Sequence, residues 1–129
     1  MRLDVEGKAS VSNPTPAQIA RAIRSLKSYG RSSYASLTNE SGDYIQVAGG
    51  GVSCMVELFD ASADVRSRAF HDKPSAARPD GTILVFGAGN LPMRSDEWFI
   101  TAQLVEIFLA FQANAPFPGY IRWRPAPPL

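Results

Sequence analysis

The sequence predicts an α+β fold: a single-domain antiparallel meander sheet of about five to seven strands with two helices packed on one face. Three observations support this prediction. Apolar residues recur at helical spacing in two segments of the chain. Between those segments, apolar and polar residues alternate as in half-buried strands. Short turn-forming stretches join the alternating runs, which favours antiparallel pairing because parallel neighbours need long crossovers.

The length and composition suit one domain over residues 1–129, with a proline-rich tail at 125–129. Hydrophobic residues make up 45% of the chain, enough for a core without disulfide or metal support. The net charge of +1 gives no reason to expect nucleic acid or a membrane as partner. The chain opens without an apolar leader, and its most apolar stretch, 104–111, is too short to cross a bilayer, so we predict a cytoplasmic protein.

The first helix is predicted to start at Pro16 and to stop at Gly30. Thr15 suits the N-cap, and Gln18 stands three residues later, as in a capping box. The apolar residues that follow share one face of the helix: Ile19, Ile23 and Leu26. The basic residues on its other face are interpreted as solvated: Arg21, Arg24 and Lys27.

The second helix is predicted over residues 102–113. Thr101 is the expected cap, Asn114 the expected end, and Pro116 prevents continuation. Its broad apolar stripe predicts burial against the sheet: Leu104, Val105, Ile107, Phe108, Leu109 and Phe111. The strands are predicted at 2–5, 33–38, 43–48, 52–59, 65–70, 82–86, 97–100 and 120–123. Trp123 is expected to fill the core beside Phe108 and Phe111.

Alternation along the strands divides their side chains between two faces of the sheet. The face under the helices is predicted to carry Ile45, Val47, Cys54, Val56, Leu58, Val65, Ala69, Ile83 and Val85. The opposite face is predicted to carry Tyr44, Gln46, Met55, Glu57, Phe59, Arg66, Arg68, Phe70, Leu84 and Phe86. Aromatic residues, Met and Arg are enriched in protein interfaces, so this second face suits a protein partner. The alternatives are a loop or second subunit covering it, or a register shifted by one residue.

Familiar catalytic and cofactor patterns do not fit this chain. The lone cysteine, Cys54, excludes an internal disulfide and a multi-cysteine metal site, and its apolar neighbours predict a buried core residue. The lone histidine, His71, has no sequence relation to Cys54 that predicts a catalytic pair. Residues 49–51 are followed by a strand and predict a hairpin turn, and residues 87–92 lack the third glycine of a dinucleotide fingerprint. We therefore expect no cofactor, no metal and no enzymatic activity.

Two stretches resemble a known family. The segment DEWFITAQLVEIFLAFQANAPFPGYIRWRP is similar to the C-terminal pattern of bacterial immunity proteins that neutralise deaminase toxins of interbacterial competition. In that pattern a Phe on a helix precedes a Pro and then a Trp on the last strand, and Phe111, Pro118 and Trp123 stand at the matching places. The segment NESGDYIQVAGGGVSCMVELF resembles the central hairpin of the same family.

The resemblance implies a binding protein that forms a one-to-one complex with a cognate toxin domain and blocks its active site or substrate access. A deaminase itself needs a zinc site of His and Cys ligands, which one Cys and one His cannot supply. Acidic loop residues are candidates to enter a basic toxin groove. The expected partner-binding residues are Tyr44, Gln46, Glu57, Phe59, Asp60, Asp64, Arg66, Arg68, His71, Asp72 and Asp80.

Other functions stay open from the sequence. The toxin could instead be a nuclease or an ADP-ribosyltransferase. The protein could be an adaptor or structural domain in a larger assembly. It could also be a small enzyme or ligand-binding domain, in which Tyr44, Arg68 and His71 would converge on a cavity.

Overall fold

A computed structural model describes residues 1–127 of the protein; Pro128 and Leu129, which end the predicted tail, lie outside the described residues. The two helices are α1 (Pro16–Arg24) and α2 (Thr101–Gln112). The strands are β1 (Arg2–Val5), β2 (Val11–Ser12), β3 (Tyr34–Thr38), β4 (Tyr44–Gly50), β5 (Ser53–Asp60), β6 (Val65–Phe70), β7 (Thr82–Phe86), β8 (Gly89–Met93) and β9 (Arg122–Pro125).

Seven of these strands form one antiparallel sheet in the order β2-β1-β3-β4-β5-β6-β9, and β7 and β8 form a separate hairpin. Both helices pack on one face of the seven-stranded sheet, and the hairpin packs on the other. The predicted α+β fold with an antiparallel meander and two helices on one face is confirmed.

The main core lies between the helices and the sheet. It is almost entirely apolar, because each strand directs alternate side chains toward the helices. Its buried members are Leu3, Val5, Ile19, Ala20, Ile23, Leu26, Ala35, Leu37, Ile45, Val47, Cys54, Val56, Ala69, Phe99, Leu104, Val105, Ile107, Phe108 and Ile121. Trp123 packs at the rim of this core, where its ring lies 5.3 Å from that of Phe117.

Helix α1 starts where the sequence predicts and ends earlier. Thr15 Oγ1 accepts a hydrogen bond from the Gln18 N–H at 3.1 Å, and Gln18 Oε1 accepts one from the Thr15 N–H at 2.8 Å, so the capping box is confirmed. The predicted end at Gly30 is wrong, because Ser25 caps the helix and its hydroxyl donates to the Ala22 carbonyl at 2.7 Å. Serine competes in this way with helix continuation.

The start of α2 also differs from the prediction. Ile100 is the N-cap and Thr101 is the first helical residue; the Ile100 N–H donates to Gln103 Oε1 at 3.0 Å. The strand expected at 97–100 is a single bridge, in which the backbones of Cys54 and Phe99 exchange bonds of 3.0 and 2.9 Å. The chain therefore touches β5 at one residue before turning into the helix. Strand β9 begins two residues later than predicted, after a turn closed by the Ile121 N–H and the Pro118 carbonyl.

The prediction that β7 lies in the main sheet with Ile83 and Val85 under the helices is wrong. Ile83 and Val85 were expected under the helices, yet they are 50% and 62% exposed. The alternation itself holds, but β9 takes the place beside β6, and the β7–β8 hairpin lies across the opposite face. Leu84 is therefore buried in a second core with Ala48, Met55, Met93 and Trp98. Val65, also predicted under the helices, is 47% exposed at the start of β6.

Candidate partner-binding surface

The helix-free face of the seven-stranded sheet is covered by the hairpin around Ala48 and Met55 and presents half-buried side chains beyond it. In the strand register Tyr44 lies opposite Phe59, and Phe59 lies opposite Arg66. The rings of Tyr44 and Phe59 stack, with centroids 5.1 Å apart and planes at 21°. We call Tyr44, Phe59 and Arg66 the aromatic patch.

The aromatic patch is held in place by Glu57, which is only 7% exposed. Arg66 Nη1 donates to Glu57 Oε1 at 3.3 Å, and the Tyr44 hydroxyl donates to Glu57 Oε2 at 3.5 Å. Burial raises the pKa of the Tyr44 hydroxyl, and the negative charge of Glu57 raises it further. Tyr44 is thus kept as a neutral donor, and the side chains of the patch are ordered before any partner arrives.

Beside the patch, two turns meet at one end of the sheet and form an acidic surface. Residues 39–43 join β3 to β4 and residues 61–64 join β5 to β6, and antiparallel pairing brings both turns to the same end. Asp43 Oδ1 accepts a hydrogen bond from the Ala61 N–H at 2.8 Å, which ties the turns together. The segments 39–43 and 60–64 contain four carboxylates and no Lys or Arg. We call these carboxylates the acidic pole: Glu40, Asp43, Asp60 and Asp64.

Asp60 is an exposed carboxylate of the acidic pole that accepts hydrogen bonds from its own turn. Its Oδ1 atom accepts hydrogen bonds from the hydroxyl and the backbone N–H of Ser62 at 2.7 and 3.0 Å. These bonds favour the charged form, and the hydroxyl contact is the main cause of the lowered pKa of Asp60. The residue therefore carries a negative charge at the same end of the sheet as the aromatic patch, although alternation along β5 directs its side chain to the opposite face from Phe59.

Two other predicted contact residues have different positions in the sheet. Gln46 is half-buried on the same face, opposite Glu57 in the register. Arg68 is only 4% exposed; its Nη1 donates to the Pro92 carbonyl at 3.3 Å and lies 3.6 Å from Glu97 Oε1. Direct contact of Glu57 or Arg68 with a partner is therefore not supported, because both are covered by neighbouring side chains. Their role is to support the surface from below.

His71, Asp72 and Asp80 lie outside the aromatic patch. His71 Nδ1 accepts a hydrogen bond from the Lys73 N–H at 3.1 Å, so Nε2 carries the proton and donates to the Trp98 carbonyl at 2.7 Å. Asp72 pairs with Arg122 at 3.2 Å, and Asp80 accepts from the Ser95 N–H at 2.8 Å. Under the alternative of a small enzyme or ligand-binding domain, Tyr44, Arg68 and His71 would converge; in the structure they bond to Glu57, the Pro92 carbonyl and the Trp98 carbonyl respectively.

Beside the covered part of this face, Arg68 and Arg124 form a buried ionic network with Asp96 and Glu97. The sequence does not predict this network, because Asp96 and Glu97 are typical of solvated loop residues. Arg124 donates to Asp96 at 3.1 and 2.7 Å and to Glu97 at 3.3 Å. Its guanidinium carbon lies 4.0 Å from the centroid of the Phe70 ring. Glu97 also lies against Arg68, so the network joins β6 and β9 to the loop before α2. The Arg68–Glu97 pair has little solvent access, whereas Arg124 and Asp96 are partly exposed.

Cys54 is buried, as predicted, and burial raises the pKa of its thiol to about 12. Within residues 1–127, no three His, Cys, Asp or Glu side chains come close enough together to hold a metal ion. In the same part of the chain, neither helix is long and apolar enough to cross a membrane. Comparison of the chain with protein-family models, curated proteins and solved structures found no match.

Proposed function

We propose that this protein is a cytoplasmic immunity protein that binds a cognate bacterial toxin domain in a one-to-one complex and blocks its active site or substrate access. The observation that carries the proposal is the aromatic patch, ordered on a helix-free sheet face and bordered by the acidic pole. A nucleic-acid deaminase is the favoured toxin, because an enzyme that binds a polyanion presents a basic groove. The resemblance of residues 39–59 and 96–125 to deaminase immunity proteins supports the same choice.

The aromatic patch has the chemistry of an interface centre. Tyr and Arg are common among residues whose truncation costs most binding free energy, and they act best when their side chains are already ordered. Tyr44 and Arg66 are both held by Glu57, and Phe59 is held by stacking on Tyr44. Binding would then immobilise few additional rotamers, so more of the contact energy is kept as affinity.

The acidic pole supplies the long-range part of recognition. Four carboxylates at one end of the sheet attract a basic surface and align it with the neighbouring patch. Electrostatic attraction of this kind acts mainly on the association rate, and salt weakens it. The complex should therefore form more slowly as ionic strength rises, while its dissociation rate changes less.

The test is co-expression with the toxin domain encoded by the neighbouring gene, followed by growth measurement, size-exclusion chromatography and binding kinetics. Wild-type protein should restore growth and co-elute as a one-to-one complex. Phe59→Ala should weaken binding by at least about 2 kcal/mol, mainly through faster dissociation. The matched control is Tyr29→Ala, which removes an aromatic ring that is 88% exposed in the loop after α1 and should leave affinity unchanged.

Charge reversal separates the acidic pole from the aromatic patch. Replacing Asp60 and Asp64 together by Lys should lower the association rate about tenfold at low salt and leave the dissociation rate nearly unchanged. Reversing Asp72, which lies outside the acidic pole, is the control. No complex with the toxin, or full affinity in Phe59→Ala, would overturn the proposal. A stable complex with a protein that is not a toxin would favour the adaptor function instead.

A further inference from the structure

The β7–β8 hairpin leaves one edge of β7 open. β7 and β8 pair only with each other, in a two-stranded sheet. The loop between them has two residues, 87 and 88, and Phe86 pairs with Gly89. In such a hairpin the pairs alternate between hydrogen-bonded and non-bonded, so Ile83 opposite Pro92 and Val85 opposite Asn90 are the non-bonded pairs. The backbone N–H and C=O groups of Ile83 and Val85 therefore point away from β8.

Within residues 1–127, the two outer strands of the seven-stranded sheet and the outer edge of β8 are protected. The seven-stranded sheet ends on one side at β2, which has two residues, and on the other at β9, which ends in Pro125. The outer edge of β8 contains Pro92, which has no N–H and whose carbonyl accepts a hydrogen bond from Arg68 at 3.3 Å. Short strands and prolines are the usual means of preventing edge pairing. Strand β7 has neither protection over the Ile83–Val85 stretch.

The open edge borders a groove of about 370 Å³ between β7 and the loop residues Ser28 and Tyr29. The apolar side chains around it are unusually exposed: Tyr29 is 88% exposed, Ile83 50% and Val85 62%. An exposed apolar edge strand beside a groove fits recognition by β-strand addition, in which a partner's backbone gives affinity and alternate side chains give specificity.

The groove contains a positive charge that no carboxylate neutralises. Arg78 donates to the Val52 carbonyl at 3.0 Å and to the Ser53 hydroxyl at 2.9 Å, and its guanidinium lies 4.4 Å from the centroid of the Trp98 ring. Within residues 1–127, no Asp or Glu lies within 4.0 Å of Arg78, and the Trp98 indole N–H has no hydrogen-bond acceptor. Lys27 is exposed in the same loop as Tyr29. A partner segment that brings a carboxylate would complement this charge.

We infer that the β7 groove binds an extended segment of a partner protein, which adds to β7 as a third strand and places an acidic side chain on Arg78. The partner segment carries alternating β-branched residues that pack beside Ile83 and Val85. The like charges of Arg78 and Lys27 disfavour a second copy of this chain as the occupant. The inference does not depend on toxin binding, since the residues that line the β7 groove are different from those of the aromatic patch.

The test is nuclear magnetic resonance titration of the full chain with two capped seven-residue peptides. Both alternate Thr and Val; one ends in Asp and the other in Lys. The Asp peptide should shift the amide signals of Ile83 and Val85 and bind about tenfold more tightly than the Lys peptide, because a carboxylate on Arg78 forms charge-assisted bonds. Arg78→Gln should remove this preference.

Two further variants separate the β7 edge from the rest of the groove. Val85→Pro removes one outward N–H and should abolish binding, whereas Val85→Thr keeps it and should bind normally. Phe59→Ala should not affect peptide binding, so failure here and failure of toxin binding are distinguishable. Unshifted Ile83 and Val85 signals, or equal affinity for both peptides, would overturn the inference. Concentration-dependent dimerisation that Arg78→Gln strengthens would also overturn it and assign the groove to a second copy.

Discussion

Replacement of Glu97 by Ala tests the buried ionic network. Glu97 is 2% exposed and lies 3.6 Å from Arg68 and 3.3 Å from Arg124, and it accepts a bond from the Arg94 N–H at 2.8 Å. Arg124 keeps Asp96 as a partner in the variant, but Arg68 loses its carboxylate while 4% exposed. Breaking a buried pair from one side costs about 3–5 kcal/mol, and this is the expected loss in the free energy of unfolding.

Urea denaturation at neutral pH measures this loss. Small domains unfold with a total free energy of about 5–15 kcal/mol, so the midpoint of Glu97→Ala should shift clearly. The control is Asp72→Ala, whose pair with Arg122 is exposed on both sides and should contribute at most about 1 kcal/mol. The double replacement of Arg68 and Glu97 by Met should recover much of the stability, since it removes both charges. If Glu97→Ala costs no more than Asp72→Ala, the network does not stabilise the fold.

Three further predictions concern single side chains. Burial raises the pKa of Tyr120 to about 12, so the unfolded state releases this proton first and stability should fall from pH 10 to 12. The fall should be smaller in Tyr120→Phe, measured by pH-dependent unfolding, while the raised pKa values of Tyr44 and Cys54 keep their own contributions. Cys54 should react with Ellman's reagent only after unfolding, and rapid labelling of the native protein would contradict its burial. Gly50→Ala should destabilise by about 1–3 kcal/mol in a thermal melt, because the added Cβ would clash with the Leu26 carbonyl group. Gly119→Ala should be neutral in the same melt, because nothing lies near its added Cβ.

The sequence predicted correctly those helix and strand boundaries that depend on residues close together in the chain. The capping box at Thr15 and Gln18 depends on residues three positions apart, and it is present as predicted. Strands β6 and β7 have the predicted bounds because alternation and turn residues define them within the sequence itself. The end of α1 was predicted too late. Serine can either continue a helix or end it by bonding to the preceding turn, and the sequence does not show which of the two Ser25 does.

Long-range contacts were not predictable in the same way. Alternation predicts that Ile83 and Leu84 point to opposite sides of β7, but it does not determine which of these two side chains packs against the sheet. In the candidate site, the adjacency of Tyr44 and Phe59 follows from a short hairpin register and was expected on one face. The burial of Arg68 was not expected, because Glu97 reaches it from a loop far along the chain.

The strand order has a consequence for synthesis in the cell. β6 ends at Phe70, but its outer neighbour β9 starts only at Arg122, after the hairpin and α2 have been made. On a ribosome, the growing sheet therefore carries an unpaired β6 edge until residues 122–125 have been translated, and such edges are prone to intermolecular pairing. Completion of the sheet is a late, non-local event, so this protein should depend on chaperone protection more than a helical bundle of equal length.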